Sequence, residues 1–265
     1  MKYPKDFVNK IICGNCVEIM REIPDESIDL AVTSPPYDAL RDYKGYTFNF
    51  EAIANQLYRI TKIGGIVVWV VGDATIKGSE TGTSFKQALY FKEIGFNLHD
   101  TMIYKKANPP PLEQNRYQPT FEFMFVFSKG KPKTFNPIMI PCKFIGAKRN
   151  RATDKKTLLD SKMPNPRNEI TVTRPKKYSP NVWDLIVGRD GDTGNHPAPF
   201  PKKLAEDHIL SWSNEGDIVL DPMCGSGTTC KMAKLNNRKF IGIDISEEYC
   251  KIAEKRLQNE KYLWD

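Results

Sequence analysis

DIVLDPMCGSGTTCKMA, residues 217–233, passes from an apolar run through a glycine-containing turn into a helical pattern. Ile218, Val219 and Leu220 form a short continuous apolar strand, the pattern of a strand covered on both faces. Gly225 and Gly227 allow torsions and close approaches that a β-carbon would block. A strand ending in such a turn, with a helix directly after it, turns its carboxyl end into a ligand seat.

Spacing narrows the ligand class. A phosphate-binding loop needs GxxxxGK[ST], but Gly227 is followed by Thr228-Thr229 with no lysine. The dinucleotide fingerprint GxGxxG is incomplete, because Cys230 stands where the third glycine belongs. A nucleoside with no pyrophosphate to hold remains. Asp244 ends the next strand, in FIGIDIS, where a carboxylate can accept both hydroxyls of a ribose. The competing reading makes Asp244 a helix cap, a role Ser246 could also fill.

Working outward, KFIGID reads as a strand between the helices TTCKMAKLNN and SEEYCKIAEKRLQNE, and KKLAEDHILSWS is a helix upstream. The first half reads KIICG strand, CVEIMREI helix and SIDLAVTS strand. In FEAIANQLYRITKIGG, Ile53, Leu57, Ile60 and Ile63 have helical spacing and Gly64-Gly65 supplies the stop. IVVWVVG follows as a buried strand and SFKQALYFKEIGF as an amphipathic helix. LHDTMIYKK and FEFMFVFSKG are strands suited to antiparallel pairing. From 131 to 195 the periodicity fades and Lys, Arg, Asn and Pro dominate. The pattern predicts an α/β fold: one doubly wound, mostly parallel sheet built from residues 1–130 and 196–265, with residues 131–195 as an insert.

The chain has 265 residues, 40% hydrophobic and 27% charged, enough for a large core. No apolar run approaches the ~20 residues of a membrane span. MKYPKDFVNK lacks an apolar signal core, so a cytoplasmic protein is expected. Six cysteines in such a chain point to free thiols. Cys13-Gly14-Asn15-Cys16 could be half a zinc site or a redox pair, but no second ligand pair and no thioredoxin-like pattern completes either, so no metal is expected. The net charge of +7 is local: residues 129–178 hold fourteen Lys or Arg against three Asp or Glu, a surplus of eleven, while the remainder carries −4. A basic segment in an otherwise balanced chain favours a polyanionic partner such as nucleic acid.

At the end of SIDLAVTS stands Ser34-Pro35-Pro36-Tyr37. Proline has no N–H and fixes its own φ, so the strand ends in a rigid lip with free carbonyls. The Pro35 carbonyl and Ser34 hydroxyl can accept the two hydrogens of an amino group, and Tyr37 offers a face for a base to stack on. Accepting those hydrogens in a bent geometry favours a pyramidal nitrogen and exposes its lone pair. The plain alternative is a proline-rich turn that only ends a strand.

TSPPY at 33–37, HPAPFPKKLAEDHIL at 196–210 and DPMCGSGTT at 221–229 together resemble the motifs of the beta class of amino-group DNA methyltransferases, in that class's permuted order. The resemblance spans about residues 11–260. It implies a Rossmann-like, seven-stranded, mostly parallel sheet with one antiparallel strand and a basic target-recognition insert. S-adenosylmethionine is the implied cofactor and a flipped base of double-stranded DNA the implied substrate. Ser34, Pro35, Pro36 and Tyr37 would form the catalytic lip. Asp221, Pro222, Met223, Gly225, Ser226, Gly227 and Thr228 would line the methionine side of the cofactor, Asp244 its ribose, and His196 and Pro197 would help close the pocket. Asn15, in CGNC, stands where the family often has Asp within GDC and would offer the cofactor a polar contact from that position. In the insert, Lys148, Arg149, Arg151, Lys155, Lys156, Arg174, Lys176 and Lys177 are candidates for phosphate or base-edge contacts. Serine at position 34 favours cytosine N4 over adenine N6 by family habit. Carbon-5 methylation would need a cysteine nucleophile, and Pro141-Cys142 lies in the insert rather than at a strand end. Other readings are a nucleic-acid-binding module with a decayed cofactor site, or an amino methyltransferase acting on RNA or protein. A bacterial or phage modification system is the implied setting, with room for a cognate restriction endonuclease; oligomeric state is left open.

Overall fold

The computed structural model describes residues 1–36, 48–109, 115–143, 145–146, 148–150, 170–172, 174–186 and 201–258. In chain order the elements begin β1 (Lys10–Cys13), α1 (Cys16–Arg21), β2 (Ile28–Thr33), α2 (Phe50–Ile60), β3 (Thr61–Val71), β4 (Thr75–Ile76), β5 (Ser79–Glu80), α3 (Thr83–Glu93), β6 (Asn97–Lys106) and β7 (Phe121–Ser128). They continue with β8 (Met139–Pro141), β9 (Lys148–Asn150), β10 (Ile170–Val172), β11 (Lys176–Tyr178), β12 (Val182–Leu185), α4 (Lys202–Trp212), β13 (Ile218–Asp221), α5 (Thr228–Leu235), β14 (Lys239–Asp244) and α6 (Glu247–Gln258).

The main sheet runs in the order β1-β14-β13-β2-β3-β7-β6-β12. Only β7 runs against the others, pairing antiparallel with β3 and with β6. The sheet is therefore doubly wound and mostly parallel with one reversed strand, as expected, but among the described residues it has eight strands rather than seven. The additional one is β12, parallel to β6 at the edge from Val182↔Ile103 to Leu185↔Lys106. Its four residues alternate between exposed and half-buried, too short and too polar a stretch to stand out as a strand in the sequence.

Alternation along β3 shows how the layers form. Val67, Trp69 and Val71 pack into the cluster covered by α1, α2 and α3, while Ile66, Val68 and Val70 pack toward α4, α5 and α6. Trp69 contacts Phe50 and Phe91, and its indole N–H donates to Gln87 Oε1 at 2.8 Å, which satisfies that buried pair. The helix before β3 ends at Ile60, earlier than the glycine stop suggested. Thr61 is extended, and its hydroxyl donates to the Leu57 carbonyl at 2.6 Å, so Ile63 falls in the strand and is exposed.

The chain forms two compact units, one of Met1–Asn136 with Asn181–Asp265 and a smaller one of Pro137–Pro180. The expected insert of 131–195 is wider than the smaller unit. Asn136 is tied to α4 through the Ser211 and Leu210 carbonyls, and β12 belongs to the main sheet. The smaller unit contains two antiparallel ribbons, β8 with β11 and β9 with β10. No helix among the described residues is long and apolar enough to cross a membrane.

His208 on α4 is buried against Trp183, with Nε2 3.3 Å from the Met124 sulfur. Burial holds its pKa down at about 3, so the ring is neutral in the folded state. An unfolded histidine takes a proton near pH 6.5, so this site costs stability as the pH falls below that value. Asp221 has the opposite sign: its pKa is pushed up to about 6, so acid favours the folded state there. His208→Gln should remove about 2 kcal/mol of the stability lost between pH 7 and pH 5. Urea midpoints of parent and variant at both pH values check this, and parallel acid dependence in the two proteins would refute it.

Candidate active site at the switch point of the sheet

β13 and β2 are parallel neighbours whose ladder pairs Val219 with Leu30 and Leu220 with Ala31. From the end of β13 the chain enters α5 on one face; the next described element after β2, α2, lies on the other. The two exits diverge, which makes this pair the topological switch point, where open α/β sheets form a crevice at the strands' carboxyl ends. Ser34, half-buried, and Pro35, buried, follow β2 directly, with Pro36 half-buried behind them. The turn Pro222–Gly227 follows β13. Two segments singled out in the sequence thus leave adjacent strands at the same edge.

Asp221 ends β13 and is 1% exposed. Its Oδ1 accepts from the Thr33 hydroxyl at 2.8 Å and from the Met223 N–H at 3.2 Å. Burial raises its pKa, opposed by the hydrogen bonds from Thr33 and Met223 and by the nearby Thr229 hydroxyl. The carboxylate is thus engaged by the protein's own donors. Thr33 and Thr229 fall within the TSPPY and DPMCGSGTT motifs but were given no role in the sequence; the signal available was a hydroxyl residue at one end of each motif.

Gly225 and Gly227 have φ of 50° and 77°, the left-handed region expected of them. A β-carbon on Gly227 would lie 2.8 Å from the Ala253 β-carbon, so this glycine also lets α5 approach α6. Ser226 is buried, and its backbone carbonyl and hydroxyl accept from the Arg256 guanidinium, which also reaches the Thr228 hydroxyl at 3.3 Å. Pro222 and Thr228 are buried and Met223 is half-buried against the first core cluster.

Asp244, at the end of β14, is half-buried. Its Oδ2 accepts from the Gly225 N–H and its Oδ1 from the Ser246 N–H, both at 2.8 Å. Ser246 in turn accepts from the Tyr249 N–H, so the serine takes the capping role at α6. The Ile245 N–H also lies against the carboxylate, and of the carboxylate's roughly four acceptor positions at least one is left for a further donor. Desolvation raises the Asp244 pKa, and the bonds from Ser246 and Gly225 restrain that rise.

Asn15 caps α1, its Oδ1 accepting from Val17 N–H at 2.9 Å and Glu18 N–H at 3.4 Å. Burial lifts the Cys16 thiol to about 11, keeping it protonated. Among the described residues no cluster of His, Cys, Asp and Glu could hold a metal ion. Arg174, Lys176 and Lys177 are exposed in the smaller unit, and the backbones of Lys148 and Arg149 form part of β9. Tyr37, His196, Pro197, Arg151, Lys155 and Lys156 lie outside the described residues.

The family model for N6/N4 methyltransferases, described as DNA methylase, matches residues 28–255. The orphan methyltransferase M.BamHII of Bacillus amyloliquefaciens is 56% identical over 243 residues, covering 89% of this chain and 91% of that protein. The DNA adenine methyltransferase YhdJ of Escherichia coli K12 is 30% identical over 254 residues, covering 93% of this chain and 82% of its own. The crystal structure of the M1.HpyAVI–SAM complex aligns with a TM-score of 0.61 at 25% identity, over 94% of this chain and 99% of that one.

Proposed function

This chain belongs to the N6/N4 DNA methylase family, and we propose that it methylates the N4 amino group of a cytosine extruded from double-stranded DNA. It is a site-specific DNA methyltransferase dependent on S-adenosylmethionine. One observation supports an amine and a methyl donor sharing this site: Ser34-Pro35-Pro36 and the Pro222–Gly227 turn leave adjacent strands at the switch point.

The chain's donors and acceptors fit the cofactor. Asp244 is a half-exposed acceptor for a ribose diol, and the Gly225 turn beside it has no lysine for a phosphate. Met223, Gly225 and the rest of that turn would hold the methionine side. Bound there, S-adenosylmethionine supplies an electrophilic methyl group. The task left to the protein is orientation, and aligning reactants in a fixed geometry is worth up to about 7–11 kcal/mol. Ser34 and Pro35 would accept the amine's hydrogens and hold its nitrogen toward the turn, and Tyr37 would stack on the base. Extrusion costs a few kcal/mol. Stacking on Tyr37 returns about 1–3 kcal/mol of that cost, and contacts from the basic segment supply more.

The neutral hydroxyl of Ser34 supports cytosine, whereas the similarity to an adenine methyltransferase supports adenine N6. Incubation with plasmid DNA and S-adenosylmethionine carrying an isotopically labelled methyl group, followed by nucleoside mass spectrometry, separates the two. Label in N4-methylcytosine is expected. Label in N6-methyladenine would reassign the base, and label in RNA or protein but not DNA would reassign the substrate.

A further inference from the structure

The backbone ladder between β13 and β2 stops at Leu220↔Ala31, just short of the lip and the glycine turn. Beyond that point side chains hold the exits together. Thr33, 0% exposed and next to Ser34, donates its hydroxyl to Asp221 Oδ1 at 2.8 Å. The same oxygen accepts the Met223 N–H, an amide of the cofactor turn. Thr229, on the first turn of α5, donates back to the Val32 carbonyl on β2 at 3.2 Å. The stitch therefore runs both ways, from β2 to the β13 turn and from the α5 start to β2.

We propose that Thr33 and Thr229 are positioning residues that couple the amine lip to the cofactor turn, so that filling either subsite tightens the other. The inference rests on the methyltransferase reading of the crevice. A displacement of Ser34 is carried through Thr33 to the carboxylate that fixes the Met223 amide, and the Thr229 bond returns a displacement of the turn to β2. Such coupling is reciprocal, and its usual size is about 5- to 150-fold in affinity.

The test measures S-adenosylhomocysteine affinity by calorimetry, with and without a duplex DNA fragment that the parent methylates. In the parent, DNA should tighten binding by at least about fivefold. In Thr33→Val, which removes the hydroxyl and keeps the shape, that factor should fall below about twofold, while affinity for the free protein stays within about threefold of the parent. Thr33→Ser, which keeps the donor, should restore the parental factor. Thr229→Val should behave as Thr33→Val does, and it carries the test alone if the first variant does not fold. Coupling that survives in the valine variants, or a methylating parent that shows none, would overturn the inference. A parent that neither binds S-adenosylhomocysteine nor methylates DNA would overturn the functional reading instead.

Discussion

Replacing Ser34 by alanine should lower the rate of methyl transfer by about 100-fold, the usual cost of losing one preorganised polar contact to a reacting group. Affinity for S-adenosylhomocysteine should stay within about threefold of the parent, because Ser34 stands on the β2 exit and the cofactor acid ends β14. Single-turnover transfer and calorimetry on the same preparation read the two effects separately. Equal loss of rate and cofactor affinity would mean that the lip and the cofactor seat are not distinct subsites, and the assignment of Ser34 to the amine would fail.

Asp244→Ala should have the opposite signature. The variant loses an acceptor for two ribose hydroxyls and frees the Gly225 N–H that the carboxylate anchors. A hydrogen bond to a charged group contributes about 1.5–3 kcal/mol, so the dissociation constant for S-adenosylmethionine should rise by about 100-fold or more. Asp244→Asn, which keeps one acceptor, should fall between. Because burial raises the Asp244 pKa, the parent's cofactor affinity should weaken on acidification at a higher pH than an ordinary carboxylate would give. Titrating parent and Asp244→Asn across the acidic range checks the sign: the parent should weaken more than the variant, and any weakening shared by both belongs to Asp221, whose pKa of about 6 lies in the same range.

Most of the sheet was legible because its central strands are continuous apolar runs and its helices repeat at 3.6 residues. β3 and β13 could hardly be read otherwise. β12 was not legible, since a four-residue edge strand among lysines and prolines buries too little to leave a pattern. Asp221 and Asp244 were both visible as strand-ending acids, but their difference was not. One is buried beneath hydroxyl donors and the other is half-buried against backbone N–H groups, and that distinction depends on which strand lies beside each. The roles of Thr33 and Thr229 were hidden for the same reason: a threonine at the end of a motif becomes a tether only once β2 and β13 are neighbours. Ser246 was correctly placed as a helix-capping alternative, because an N-cap is a local feature that sequence carries by itself.

On the proposed reading, one crevice at the carboxyl ends of β2 and β13 holds the methyl donor and the acceptor amine together. A crystal structure with S-adenosylhomocysteine and duplex DNA would place both. The expected result is an extruded cytosine with its exocyclic nitrogen within about 3.2 Å of the Ser34 hydroxyl or the Pro35 carbonyl, and the cofactor ribose on Asp244. A nucleoside bound away from the Gly225 turn, or a base extruded elsewhere than the Ser34-Pro35 lip, would contradict it.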